Sequence, residues 1–181
     1  MTITDSYAIM ETKMKGFVSK VKKEIITTAI ESLRTEGLRF SVDTIAAKLK
    51  ISKKTVYKFF PDKEALAHAI YETYYAGAAE KARKIAEQGD EKEYRLLMIY
   101  HDAGFMMRRE IFNKYRLNDS VYAYAAKLHE ALWSEILPCI APGASQTDAA
   151  ILKAITEGAF EKADACALPA ESVCRKLVTL L

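Results

Sequence analysis

Apolar residues recur every three to four positions along most of this chain, and nowhere does a strand-like alternation persist. Val21, Ile25, Ala29, Ile30 and Leu33 share one side of a first helix, and Gly37 supplies a stop signal. Ser41 can cap a short helix carrying Val42, Ile45, Ala46 and Leu49. Ser52 can cap a second short helix carrying Val56, Phe59 and Phe60. Pro61-Asp62 breaks the chain, and Asp62 can cap a long helix from Lys63 to about Gln88. Gly89-Asp90 precedes a helix from Glu91 to about Phe112. A helix starting at Asn118-Asp119-Ser120 is predicted to end near Leu137, ahead of Pro138. Ser145 or Thr147 opens another, reaching about Ala165, and Leu168-Pro169 separates it from a last helix running from Ala170 to the end. The predicted class is all-α, with about nine helices.

Residues 41–60 combine two short helices and a tight turn, the layout of a helix-turn-helix. Ala46 is small where the two helix backbones must approach. Ile45, Leu49, Ile51, Val56 and Phe59 are expected to face inward. Lys53, Lys54, Thr55, Tyr57 and Lys58 remain for the outer face of the second helix. Three lysines among hydroxyl groups suit a polyanion: the charge supplies affinity, and the hydroxyls and ammonium ends can hydrogen-bond to bases or phosphates. Lys50 stands in the turn where a positive φ is expected and glycine would be unstrained.

Charge sharpens this picture. The chain has 181 residues and a net charge of only +3. Residues 1–63 carry 13 Lys and Arg against 7 Asp and Glu, a net of +6, whereas residues 64–181 carry 14 against 17, a net of −3. A basic N-terminal part fits a polyanion, or equally a solvated lysine-rich face, and the acidic remainder argues against general coating of nucleic acid. Seven glycines and four prolines are too few for a turn-rich all-β fold. No apolar run is long enough for a membrane helix, and the polar N-terminus lacks the apolar stretch of a signal peptide. Three cysteines without a CxxC pair suit a reducing cytoplasm, and three scattered histidines form no zinc signature. Cys166 and Cys174 flank Pro169 and read as structural thiols.

Residues from about Ile25 to Tyr74, including IITTAIESLRTEGLRFSVDTIAAKLKISKKTVYKFFPDKEALAHAIYE, resemble the N-terminal domain of TetR-type transcriptional regulators. The resemblance implies a three-helix DNA-binding head over 17–63, with the motif at 41–60, behind an N-terminal arm at 1–16. It also implies an antiparallel helical effector-binding and dimerisation domain over 64–181. Residue by residue, Ser41 and Val42 fall where the family approaches the DNA backbone or an outer base. Lys53, Lys54 and Thr55 fall where it reads bases, with Lys58 on the same face. Tyr57 matches an aromatic that packs on phosphate, and Lys63 a phosphate-binding lysine at the start of the fourth helix. Two positions depart from the pattern. Lys54 stands where Gly or Pro is frequent, and Phe59 where His is frequent, so Phe59 is assigned to the core. The operator sequence therefore does not transfer.

The C-terminal part carries no comparable signature. Tyr100, His101, Phe105 and Trp133 are candidate effector contacts, among further aromatics that include Tyr115 and His129. The same residues also describe an ordinary helical core. Ile151, Leu152, Ile155, Ala159 and Phe160 form one apolar stripe, and Val173, Leu177 and Leu180 a second, both candidate dimer surfaces.

The expected function is a sequence-specific transcriptional regulator, a ligand-responsive repressor binding a near-palindromic operator as a homodimer. Its partners are double-stranded DNA, a second copy and an unidentified small-molecule effector, with no membrane and no cofactor. The expected place is the bacterial cytoplasm, on the nucleoid when DNA-bound. A regulator without a small-molecule effector is the alternative. An all-α enzyme is remote, because Ser120, Ser134 and Glu157 lack the partners of a catalytic set.

Overall fold

The computed structural model describes the backbone of residues 3–87, 89–112 and 118–180, and the side chains of 18–87, 89–108, 111–112 and 119–180. Tyr115 and Leu181 lie outside the described residues, as do the side chains of the N-terminal arm. Every regular element among the described residues is helical. The chain divides into two compact units, residues 1–70 with 110–121 and residues 71–109 with 122–181. The division falls inside the fourth helix and not at Lys63. Leu66, Ala67 and Ile70, in that helix's first turns, are buried members of the first unit.

The first unit begins with α1 (Ile3–Glu36), whose opening turns include the segment expected as an arm. Gly37 takes φ +61° and admits a 3-10 turn over Gly37–Arg39. α2 (Val42–Lys48) starts at Ser41, whose hydroxyl accepts from the Asp43 amide at 3.1 Å. α3 (Lys53–Phe59) starts at Ser52, whose hydroxyl accepts from the Thr55 amide at 3.0 Å. Asp62 caps α4 (Lys63–Ala86) by accepting from the Ala65 amide at 2.7 Å. Each cap removes an orphan donor and is worth about 1 kcal/mol. The core of this unit is Ile25, Ala29, Leu33, Phe40, Ile45, Val56 and Phe60, all nearly inaccessible.

The second unit holds the rest of α4, then α5 (Lys92–Phe105), α7 (Asn118–Ile140) from Tyr122 onward, α8 (Gln146–Ala165) and α9 (Ala170–Val178). The single turn α6 (Arg109–Phe112) follows α5 in the chain. The continuous helix expected over 91–112 is therefore broken. Met106, Met107 and Arg108 bond back three residues, to Ala103, Gly104 and Phe105, which tightens the chain and ends α5. Gly104 weakens the helix there. Tyr71, Tyr74 and Tyr75 of α4 donate to the carbonyls of Met106, Asp102 and Ala103, at 3.1, 3.1 and 3.2 Å. Side-chain hydroxyls thus satisfy carbonyls at the end of α5.

Pro138 does not end α7, which continues to Ile140. Proline costs the helix its own amide donor and crowds the carbonyl four residues back, yet this is close to the helix end and Ala141 still bonds to Leu137 at 2.9 Å. α8 opens with the expected Ser145, strengthened by a reciprocal bond between Ser145 and Asp148. Its far end is a Schellman turn in which Leu168 bonds to Ala163 and Ala167 to Asp164, and this places Ala167 at φ +52°. Cys174 is fully buried, and burial pushes its thiol up to about 12, so it is inert near neutrality; Cys166 is exposed.

Candidate nucleic-acid interface

The turn between α2 and α3 sets the presentation of the lysine face. Ile51 bonds back to Ala46 at 3.0 Å and Lys50 to Ala47 at 3.1 Å, the two bonds of a Schellman motif. Lys50 consequently sits at φ +55°. The strain predicted from its sequence position is present, and Lys50 itself is exposed. Ile45 and Ala46 are buried on α2, and Val56 on α3. Leu49, Ile51 and Phe59 are half-buried only. Leu49 instead borders an open groove of about 340 Å³ that it lines with Lys20, Lys23, Glu24, Thr27 and Thr28 of α1.

With Val56 turned inward, α3 exposes Lys53, Lys54, Tyr57 and Lys58 together. Tyr57 is 41% exposed. Thr55 is half-buried, and its hydroxyl lies 2.8 Å from that of Ser52, so it already serves the cap. Ser41 likewise spends its oxygen on the α2 cap. Val42 is only 7% exposed. Its expected contact with DNA is corrected: the side chain belongs to the core of the head, turned inward while Asp43 and Thr44 of the same turn face outward.

Two lysines have specific surroundings. Lys53 Nζ lies 2.9 Å from Asp43 Oδ2, and that bond raises the lysine's pKa. Lys63, the first residue of α4, holds its ammonium 4.6 Å from the centre of the Phe40 ring. Burial lowers the Lys63 pKa, and Glu36 works in the opposite direction. The Asp43 pairing had no signal in the sequence beyond the opposite signs of two residues ten apart.

In the second unit, the four candidate effector contacts separate into two groups. Tyr100 and Trp133 pack against each other, with ring centres 5.0 Å apart. His129 stacks on Tyr100 at 4.3 Å, with ring planes 17° apart. Its Nδ1 is 3.1 Å from the Tyr75 hydroxyl. The Tyr100 hydroxyl donates to Glu157 at 2.8 Å, and Lys153 bridges Glu157 and Glu130 at 2.8 and 3.0 Å. Burial drives the His129 pKa down to about 4, against the pull of Glu157. Burial opposes the Glu157 charge, but bonds from Lys153 and Tyr100 outweigh it and hold that carboxyl below its ordinary value.

His101 and Phe105 form the other group. The His101 ring meets the Phe160 ring edge-on at 4.8 Å, and its nitrogens face Asp102 and Asp164 at 3.6 and 3.9 Å. Arg108 pairs with Asp164 at 2.6 Å and lies over Phe105. The sequence marks His129 only as one more aromatic and Glu157 only as an isolated acid, and it gives Lys153 no role. The one available signal was that Lys153 and Glu157 are four apart on a helix.

The two candidate dimer stripes are also unequal. Ile151, Ile155 and Leu180 are 51%, 48% and 67% exposed. Leu152, Ala159 and Val173 are half-buried. Phe160 and Leu177 are corrected from interface to core, since both are buried within the unit, Phe160 against His101.

Residues 25–70 match the family of bacterial regulatory proteins, tetR family. The match begins inside α1 and ends in the early turns of α4, so it covers the helix-turn-helix and its supporting core. No curated protein matches the chain. No described helix is long and apolar enough to cross a membrane.

Proposed function

We propose that this chain, a DNA-binding transcriptional regulator of the tetR family, is a ligand-responsive repressor acting as a homodimer on a near-palindromic operator. The observation that carries the reading is the face of α3. Lys53, Lys54, Tyr57 and Lys58 are exposed together on a helix whose start, turn and inner face are fixed by bonds and burial. Such a helix enters the major groove, and Lys63 at the head of α4 anchors phosphate beside it. Ser41 and Thr55 add polar atoms at the starts of α2 and α3, where their hydroxyls already bond.

The homodimer is supported by Ile151 and Ile155, one turn apart and both half exposed on α8, with Leu180 beyond α9. Apolar side chains repeated on one face favour covering by a second copy. Effector response is assigned to the aromatic and charged groups of the C-terminal unit. A ligand that prefers one arrangement of this unit shifts the DNA-binding equilibrium by its difference in affinity. Such a regulator works in the bacterial cytoplasm, on the nucleoid when bound.

A second reading is control by a partner or by abundance, without a small molecule. It is favoured by the burial of Tyr100 and Trp133, only 1% and 3% exposed and packed on each other. Rings so placed fill the interior.

The test is selection of duplexes from a random pool by the full-length protein, followed by titration of the winners against salt. An enriched near-palindrome bound by two copies with a steep salt slope supports the proposal. Weak, sequence-independent binding overturns it. Compounds that release the selected duplex distinguish the first reading from the second.

A further inference from the structure

Lys53 differs from its neighbours on the reading face. Among the described residues, Lys54 and Lys58 make no ion pair, whereas Lys53 is held by Asp43 across the turn. Asp43 is the second residue of α2 and Lys53 the first of α3, so the contact ties together the starts of the two motif helices. Both side chains are well exposed, at 50% and 67%. An exposed pair of this kind adds little to folding stability, so stability alone is a weak reason for it.

Its electrostatic consequence for a polyanion is larger. A phosphate reaching for Lys53 must also approach the Asp43 carboxylate, 2.9 Å from the ammonium. The pair is neutral overall, so Lys53 contributes less than a full charge to generic attraction. An ammonium has three donors. Asp43 takes one, and two remain in an orientation that the pair fixes. Guanine presents two neighbouring acceptors in the major groove, and these suit a lysine whose direction is already set.

We propose that Asp43 is a specificity-determining positioning residue, which directs Lys53 toward base acceptors and withholds it from indiscriminate phosphate binding. This rests on the reading of α3 as the recognition helix. Asp43 touches no base in this scheme and acts through Lys53. The competing account makes Asp43 only a favourable charge in the first turn of α2. That account predicts a change in helix stability but none in the choice of DNA.

The experiment uses the full chain, the duplex that the wild type selects from a random pool, and a scrambled duplex of the same composition. Binding to both is followed by fluorescence anisotropy from low to moderate potassium chloride. Asp43→Asn is expected to bind the scrambled duplex about tenfold tighter, with a salt slope steeper by about one counterion per head. The ratio of selected to scrambled affinity is expected to fall about tenfold. Asp43→Glu, which keeps the charge, is expected to restore most of that ratio. In a Lys53→Ala background, adding Asp43→Asn is expected to leave the ratio unchanged. An Asp43→Asn protein with the wild-type ratio and slope overturns the inference while leaving α3 as the reader. A ratio that drops equally in the Lys53→Ala background overturns it too. If the wild type selects no duplex, the recognition-helix reading fails and the inference falls with it.

Discussion

Acidification is expected to destabilise this protein through His129, by an amount that its surroundings set. The ring is 13% exposed, stacked on Tyr100 and bonded at Nδ1 to Tyr75. Its Nε2 is 4.0 Å from Glu157, too far for a hydrogen bond. A proton added there finds a nearby carboxylate but no direct acceptor, in a site that penalises charge. The folded-state pKa is accordingly lowered to about 4 from an unfolded value of 6.5. The unfolded chain therefore binds the proton first. The stabilisation is complete above pH 6.5 and is lost as pH falls toward 4. Below both values the loss reaches about 3 kcal/mol, and at pH 5 it is already about 2 kcal/mol.

Urea unfolding of the wild type at pH 8 and pH 5, at one protein concentration, measures that difference. His129→Phe keeps a ring to stack on Tyr100 and cannot take up a proton. His129→Gln keeps a polar group beside Tyr75. Both variants are expected to be less stable at pH 8, by about 1 kcal/mol for the altered Tyr75 bond. Both are also expected to lose roughly 2 kcal/mol less than the wild type between pH 8 and pH 5. Glu157 is present in all three proteins, and its lowered pKa places its own contribution at more acid pH. Equal losses in wild type and both variants refute the reasoning.

Lys63→Ala should weaken binding to every duplex alike and reduce the salt slope by about 1, read by anisotropy. Lys53→Ala should instead weaken the selected duplex most, by ~1–3 kcal/mol, and relax preference at one base pair in a repeat selection. Lys50→Gly and Ala167→Gly relieve positive φ angles of 55° and 52° and should each raise stability by roughly 1 kcal/mol in urea unfolding. Ile151→Asp combined with Ile155→Asp should convert the proposed dimer to monomer, measured by light scattering after size exclusion, with the helical circular dichroism retained.

The head was legible because its structure is local. Ser41, Ser52 and Asp62 announce helix starts within three residues of the donors they satisfy. The departure at Lys50 was legible for the same reason: a turn of fixed length imposes a backbone angle whatever the side chain. Packing was less legible. Val42 and Lys53 both stand at the first position of a short helix, yet one is buried and the other exposed. In the C-terminal unit the decisive contacts join residues 54 and 57 positions apart, Tyr75 with His129 and Tyr100 with Glu157. Nothing in a periodic pattern marks such pairs. Periodicity placed Phe160 and Leu177 on apolar faces correctly but does not say whether a face meets its own chain or another.

The commitments of the head's side chains shape how it can discriminate between sequences. Of eight candidate contacts, Val42 is spent on the core, and the hydroxyls of Ser41 and Thr55 bond within helix caps. Lys53, Lys54, Lys58 and Lys63 supply the ammonium groups, with Tyr57 beside them. Under the proposed function, Lys54, Lys58 and Lys63 supply a salt slope of several counterions per head, with a smaller share from the paired Lys53. Charge alone is blind to sequence. Discrimination must come from the groups whose direction is fixed before DNA arrives, since a group that is free to swing meets a phosphate as readily as a base. Among the lysines, Lys53 is directed by Asp43, while Lys63 is seated on the Phe40 ring at the helix start. Under the proposed function, Lys53 at the start of α3 is the reading lysine and Lys63 at the start of α4 the phosphate anchor. On the same reading, Lys54 and Lys58, which make no ion pair among the described residues, add attraction that any duplex can satisfy. The narrowest part of the sequence preference should therefore map to the base pair opposite the start of α3.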